Sequence, residues 1–222
     1  MKSQITIKKI QELLSKGVQT IYVDNDTSRR MWWASLEVIQ KDFLSQYYKQ
    51  GGIWVSSPLP ALNDKKFFNQ LNGWLWSPEG FPYFQKENAG FLPGNNLDKI
   101  KKDFDFVTNY KVLNLCQEDG YEPFLMIITP NFQCILSILG EKDKKILLMK
   151  CDEESLKISI ELMHAKLNQE NHEEGVKFRN AINNLGNLNI NNQFEKIFWP
   201  ILSAKLAKVG SSHNIQNSVN EV

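Results

Sequence analysis

The chain has 222 residues, 42% of them hydrophobic and 23% charged, and its 26 Lys and Arg against 25 Asp and Glu leave a formal net charge of +1. That length supports a single domain whose core needs neither disulfides nor a structural metal. The composition is that of a globular chain rather than a disordered or fibrous one, and the charge balance excludes a broadly basic nucleic-acid binder. The longest apolar run, Phe124–Ile128, is far too short for a membrane span, and the first ten residues lack the apolar core of a signal peptide. A cytoplasmic protein with neither a membrane nor a nucleic-acid partner is expected. Cys116, Cys134 and Cys151 form no C-x-x-C pair and fit free thiols in a reducing compartment.

Residues 6–16 read as a short amphipathic helix, with Ile7, Ile10, Leu13 and Leu14 on one face and Gly17 as its stop. Residues 18–23 are rich in β-branched side chains and predict a strand ending at Asp24. Asp26 or Thr27 is then placed to cap a long helix over residues 28–49, whose Trp32, Leu36, Ile39, Phe43 and Tyr47 recur at helical spacing before Gly51-Gly52. Trp32 and Trp33 lie about 100° apart on that helix, so both are buried only if a wide face is covered. Ile53-Trp54-Val55 predicts a strand, residues 65–71 one or two helical turns, and residues 77–96 an ordered aromatic excursion. Residues 106–115 have β character. Residues 124–129 and 132–139 around Pro130-Asn131 read as a hairpin, continued by a strand over 145–149 as an antiparallel meander. From Glu153 the spacing turns helical, with further helices over 178–185 and 194–207. The expected fold class is therefore α+β: a central, mainly antiparallel sheet with a long N-terminal helix and C-terminal helices. Residues 1–209 form the domain, with its helical part over 153–209, and residues 210–222 form a polar tail or linker.

The segment Tyr22-Val23-Asp24-Asn25-Asp26 places two carboxylates after an apolar run. It resembles the first motif of haloacid-dehalogenase-type phosphatases, which implies Asp24 as nucleophile and Asp26 as general acid around Mg²⁺. The early start of the following helix argues instead for turn formation and capping. A calcium loop fails because Arg29 stands at the required glycine and Ser35 at the twelfth position. Arg29 and Arg30 fall in the first turn of a helix, where cations oppose the macrodipole. They answer Asp24 and Asp26, an anionic ligand or a partner's acidic surface. His164, His172 and His213 form no metal-binding pattern. The chain has no P-loop, no G-x-G-x-x-G and no G-x-S-x-G. No cofactor is expected.

The runs VQTIYVDNDTSRRMWWASLEVIQKDFL, GIWVSSPLPAL, EDGYEPFLMIITPNFQCILSILGE and FWPILSAKLA resemble the N-terminal sensory region of cyanobacterial two-component sensor histidine kinases. Residues 123–152 are also similar to DICT-type sensory domains. The resemblance implies a non-catalytic sensory or regulatory module that binds a ligand or a protein. None of the three histidines sits in an H-E-x-R-T-P box, so no phosphoacceptor is carried over. It further implies a kinase or response-regulator partner and a homodimer through the C-terminal helices. On this reading Asp24, Asp26, Arg29 and Arg30, with Trp54, form the ligand or partner surface.

Overall fold

The strand residues alternate in which face they bury, and both faces of the sheet carry helices. A computed structural model of the chain describes residues 5–18, 21–79 and 109–219, side chains beyond Lys208 excepted. The six strands are β1 (Gly52–Ser57), β2 (Leu71–Ser77), β3 (Tyr110–Asn114), β4 (Phe124–Ile128), β5 (Gln133–Glu141) and β6 (Lys144–Lys150). They form one sheet in the order β3-β2-β1-β4-β5-β6. β4, β5 and β6 make the expected antiparallel meander and β4 also runs antiparallel to β1, whereas β1, β2 and β3 are mutually parallel. The sheet is thus mixed. The parallel half arises because β1 reaches β2 through the helix α4 (Lys65–Gln70) rather than through a tight turn.

The helices are α1 (Ile7–Leu14), α2 (Asn25–Val38), α3 (Ser45–Tyr47), α4, α5 (Glu153–Glu170), α6 (His172–Asn184) and α7 (Gln193–Val219). One face of the sheet presents Trp54, Leu75, Leu125, Ile127, Leu136 and Leu147 to α2, α4 and α7. The opposite face presents Ile53, Val55, Trp74, Trp76, Met126 and Leu148 to α1, α5 and α6. This period-two division makes three layers from a continuous apolar pattern.

The long helical run after Asp24 is not uniform. α2 passes into a π-helical segment (Ile39–Leu44), then α3, then a 3₁₀ turn (Tyr48–Gln50) ending at Gly51 with φ 75°. Its N-cap is Asp24 rather than Asp26 or Thr27, with the Thr27 amide donating to Asp24 Oδ1 at 2.7 Å. Trp32 is buried and Trp33 half exposed, so only one side of α2 is covered.

Among the described residues of the expected strand over 18–23, the pairing is a single antiparallel bridge between Val23 and Lys145, and Ile21 and Tyr22 are exposed. α7 continues to Val219, so residues 210–219 are helical. Most of the expected aromatic excursion, residues 80–96, lies outside the described residues.

Glycine has a specific role at Gly73. The Trp54 indole lies directly over it, and a Cβ there would fall 2.3 Å from Trp54 Cε2. Below Trp76, on the opposite face, lies a charge cluster centred on the buried Lys166 and Asp119. Lys166 Nζ donates to Asp119 Oδ1 at 2.7 Å and to Glu170 Oε1 at 2.6 Å, and it sits 5.4 Å from the Trp76 ring centroid. Asp119 also accepts from the backbone amides of Ile7 and Cys116, and Trp76 Nε1 donates to Glu170 Oε2 at 2.7 Å. Two residues earlier on β2, Trp74 Nε1 donates to Glu174 Oε2 at 3.0 Å.

Gly73→Ala is expected to lower stability by about 1–3 kcal/mol through overpacking against Trp54, read as a lower urea midpoint with an unchanged slope. Lys166→Ala leaves Asp119 and Glu170 without their cation and is expected to cost about 3–5 kcal/mol. A thermal unfolding scan that matched the parent chain would show the cluster to be dispensable.

Candidate functional site

One side of α2 carries Trp33, Leu36 and Glu37, and Gln40 and Lys41 follow in the π-helical segment. Facing them is the chain that leaves β1, with Pro60, Ala61, Asn63 and Asp64, and then Lys66 and Phe67 of α4. Together they enclose a cleft of about 380 Å³. π-helical segments recur at functional sites because the widened turn re-aims side chains.

Gln40 forms the floor of the cleft. Its side-chain amide donates to Leu36 O at 3.2 Å and Ala61 O at 3.4 Å, and its Oε1 accepts from the Asn63 amide at 3.0 Å. This side chain fastens the far wall to the helix. On that wall Asp64 caps α4 and pairs with Lys66 at 3.0 Å, while Lys66 Nζ also lies over the Phe67 and Tyr48 rings. Trp33 presents half of its surface at the mouth. The cleft therefore offers an indole face, apolar walls and two lysines in partly exposed ion pairs. Such pairs are worth about 0–1 kcal/mol, so a ligand anion can recruit either lysine.

Glu37 belongs to two structures at once. Its Oε1 pairs with Lys41 at 2.7 Å within the cleft and with Lys205 of α7 at 2.6 Å. Hydrogen bonds from Lys205 and then Lys41 hold its carboxyl below the ordinary value of 4.5.

The residues singled out from the sequence lie elsewhere. Asp24 is fully exposed, and its carboxylate is occupied by the Thr27 amide and hydroxyl, which lower its pKa. Asp26, Arg29 and Arg30 are exposed on the first turns of α2. Arg30 donates to Thr27 Oγ1 at 3.2 Å, and among the described residues neither arginine pairs with an acid. Trp54 is fully buried between Phe68 and Tyr110, with ring centroids 5.6 and 5.5 Å away. It cannot share a surface with Asp24, Asp26, Arg29 and Arg30, because its indole points into the layer between the sheet and its helices.

A phosphatase nucleophile would have to stand at the C-terminal end of a central parallel strand. Asp24 instead follows an isolated bridge to the edge strand β6. Among the described residues, no group of three or more His, Cys, Asp or Glu side chains is placed to hold a metal ion. Burial raises the pKa of the Cys116, Cys134 and Cys151 thiols. His164 lies between Asn168 and Arg179 at the contact of α5 with α6 and not in a cleft. Among the described residues, no helix is long and apolar enough to cross a membrane.

Residues 8–211 match the family model of a domain of unknown function, DUF8628. The chain belongs to that family. No curated protein and no solved structure matches it.

The Glu37 network sets a pH dependence. The folded chain keeps Glu37 ionised at a pH where the unfolded chain already binds a proton, so the unfolded state carries more protons. The contribution to stability is present above the ordinary carboxyl value of 4.5 and is lost as pH falls through the lowered one. Glu37→Gln is expected to flatten the acid limb of the stability curve below that value while leaving its neutral slope unchanged, as measured by urea unfolding at stepped pH.

Proposed function

We propose that this chain is a sensory or regulatory module of two-component signalling that works by binding, with the α2–α4 cleft as its ligand site and α7 as its output element. The observation that carries this reading is the double attachment of Glu37 to Lys41 in the cleft and to Lys205 on α7. A ligand that draws Lys41 toward itself, or presses on Glu37 beside Trp33, changes the pairing of α7 with α2. Exposed ion pairs supply about 0.2–1 kcal/mol each. The coupling is therefore a several-fold bias on a helix position rather than an all-or-none switch.

The likeness of the sequence to sensory regions of histidine kinases supports the same reading. So does the exposed apolar Ile197 on α7, a surface for a kinase or response-regulator partner. The half-exposed indole of Trp33 and the two recruitable lysines favour a planar aromatic ligand with an anionic group.

Benzoate, phenyl phosphate and tryptamine, titrated into ¹⁵N-labelled protein, test the site and its coupling together. The Trp33 indole signal is identified by its disappearance in Trp33→Phe. The anionic probes are expected to shift it and also the amides of residues 201–208, and in Glu37→Gln the shift at Trp33 is expected to persist while the α7 response shrinks. If no probe moves Trp33, or if the α7 response survives in Glu37→Gln, the reading fails.

A further inference from the structure

In an antiparallel ladder, hydrogen-bonded pairs alternate with pairs whose N–H and C=O groups point away from each other. The phase of the β5–β6 ladder is fixed near its turn. Lys145 exchanges both of its backbone hydrogen bonds with Val23, on the side away from β5, so its pair with Gly140 is of the second kind. Leu147 opposite Ile138 and Met149 opposite Leu136 share that phase. The Ile138 amide agrees, since it donates to Pro123 O, on the side of β4. One step beyond the last ladder pair, Ile135 with Lys150, the same register sets Cys134 against Cys151 in a non-hydrogen-bonded position.

At that position two cysteines can be joined. Non-hydrogen-bonded pairs hold their Cα atoms about 4.5 Å apart with the side chains close, and a disulfide spans roughly 4.4–6.8 Å between Cα atoms. Cys134 and Cys151 point to one face, into the core layer that also holds Leu136, Leu147 and Met149. Both thiols are buried and free. Burial pushes the Cys134 thiol well above its ordinary range, and the nearness of the Cys151 thiol adds to the rise. Cys116 lies apart from them, beside Asp119 and the Lys166 cluster. The pair stands at the end of the hairpin away from its turn, where the Cys151 backbone faces the Glu195 carboxyl in the first turn of α7.

We propose that Cys134 and Cys151 are a reversible dithiol–disulfide pair, oxidised by hydroperoxides, whose closure fastens the open end of the β5–β6 hairpin beside the first turn of α7. Cys151, past the last ladder pair, reacts first when that end opens. Its sulfur attacks one oxygen of hydrogen peroxide, the O–O bond breaks, and the departing hydroxide takes the thiol proton and leaves as water. The Cys134 sulfur then attacks the sulfenic acid on Cys151. The S–S bond forms, the S–OH bond breaks, and a second water leaves with the Cys134 proton. Two thiols lose two electrons and two protons, and one peroxide becomes two waters. Burial holds both sulfurs in the thiol form, so the reaction waits on opening and is slow. The short Cα separation lies at the strained edge of the disulfide range, and the bond is therefore readily reduced by a thiol such as glutathione. The inference stands independently of the ligand cleft.

The test is a peptide map of the full chain. Reduced protein is exposed to hydrogen peroxide, folded or in urea. The peroxide is removed with catalase, the chain is unfolded in the presence of iodoacetamide, and the digest is read by mass spectrometry. The folded chain is expected to give one linked peptide pair, joining Cys134 to Cys151 with a loss of two hydrogens, whereas the urea-unfolded chain also gives links to Cys116. Excess glutathione added before blocking is expected to restore both thiols. Cys116→Ala is expected to keep the link, and the map of the parent chain decides if that variant fails to fold. A folded chain that retains both thiols under a treatment that oxidises the unfolded one overturns the proposal. So does a folded chain that gives the unfolded chain's mixture of links, or a link that glutathione leaves closed.

Discussion

The buried amino group of Lys166 is the constraint on which one whole layer of the structure depends. An ammonium group removed from water is tolerated only when it is paired and hydrogen-bonded. Its partners come from separate parts of the chain: Asp119 from the turn after β3, Glu170 from the end of α5, and the Trp76 ring from β2. Asp119 extends the network by accepting the first amide of α1. The rotation of α5, the seat of α1 and the path of the chain after β3 are therefore set by one charge. The cluster holds two acids for one base, and the imbalance falls on Glu170, whose side chain keeps 23% of its surface in solvent. The excess negative charge is thus hydrated at the rim while Asp119, beneath it, is neutralised.

The two tryptophans of β2 show how the same face resolves its remaining polar atoms. Trp74 and Trp76 stand two residues apart, and each indole N–H finds a glutamate on the α5–α6 hairpin. Glu170 and Glu174 flank Asn171, which ends α5 and caps α6, so the break between the helices brings both carboxylates over the strand. Among the described residues, Trp54, facing the other layer, has no such acceptor and packs against the Phe68 and Tyr110 rings.

Elements governed by local periodicity were legible in the sequence. α1 with its Gly17 stop, β1, the β4–β5–β6 meander, and the helices from Glu153 onward all follow from spacing and turn residues. The parallel pairing of β1 with β2 and β3 was not, because parallel neighbours are joined through crossovers that leave no turn signature. Residues 18–23 misled for a related reason. Their β-branched character is real, but a strand also needs a partner, and among the described residues of that stretch only Val23 pairs. Of the site, the Trp32-Trp33 pair carried a signal, since adjacent aromatics on a helix force one toward the surface. The remainder was hidden. Gln40, Lys66 and Lys166 look like ordinary solvated residues until the fold brings a carbonyl, a ring or a carboxylate against them. In the Asp24–Arg30 stretch, which stood out by composition, Asp24 caps a helix while Asp26, Arg29 and Arg30 stay at the surface.

The mixed sheet also divides the molecule in time. The meander joins neighbours in sequence through turns of a few residues, so its pairing closes small loops. The parallel half closes large ones, and the register that joins it to the meander sets Ile53 against Ile128. Non-local pairing of this kind forms late and opens early, because its loop entropy is recovered only when everything else is in place. The cleft walls, from Pro60 to Phe67, belong to the crossover of that late half. An occupant of the cleft would slow amide exchange across β1, α4 and β2 far more than across β5 and β6, making the least cooperative part of the sheet the part that reports occupancy.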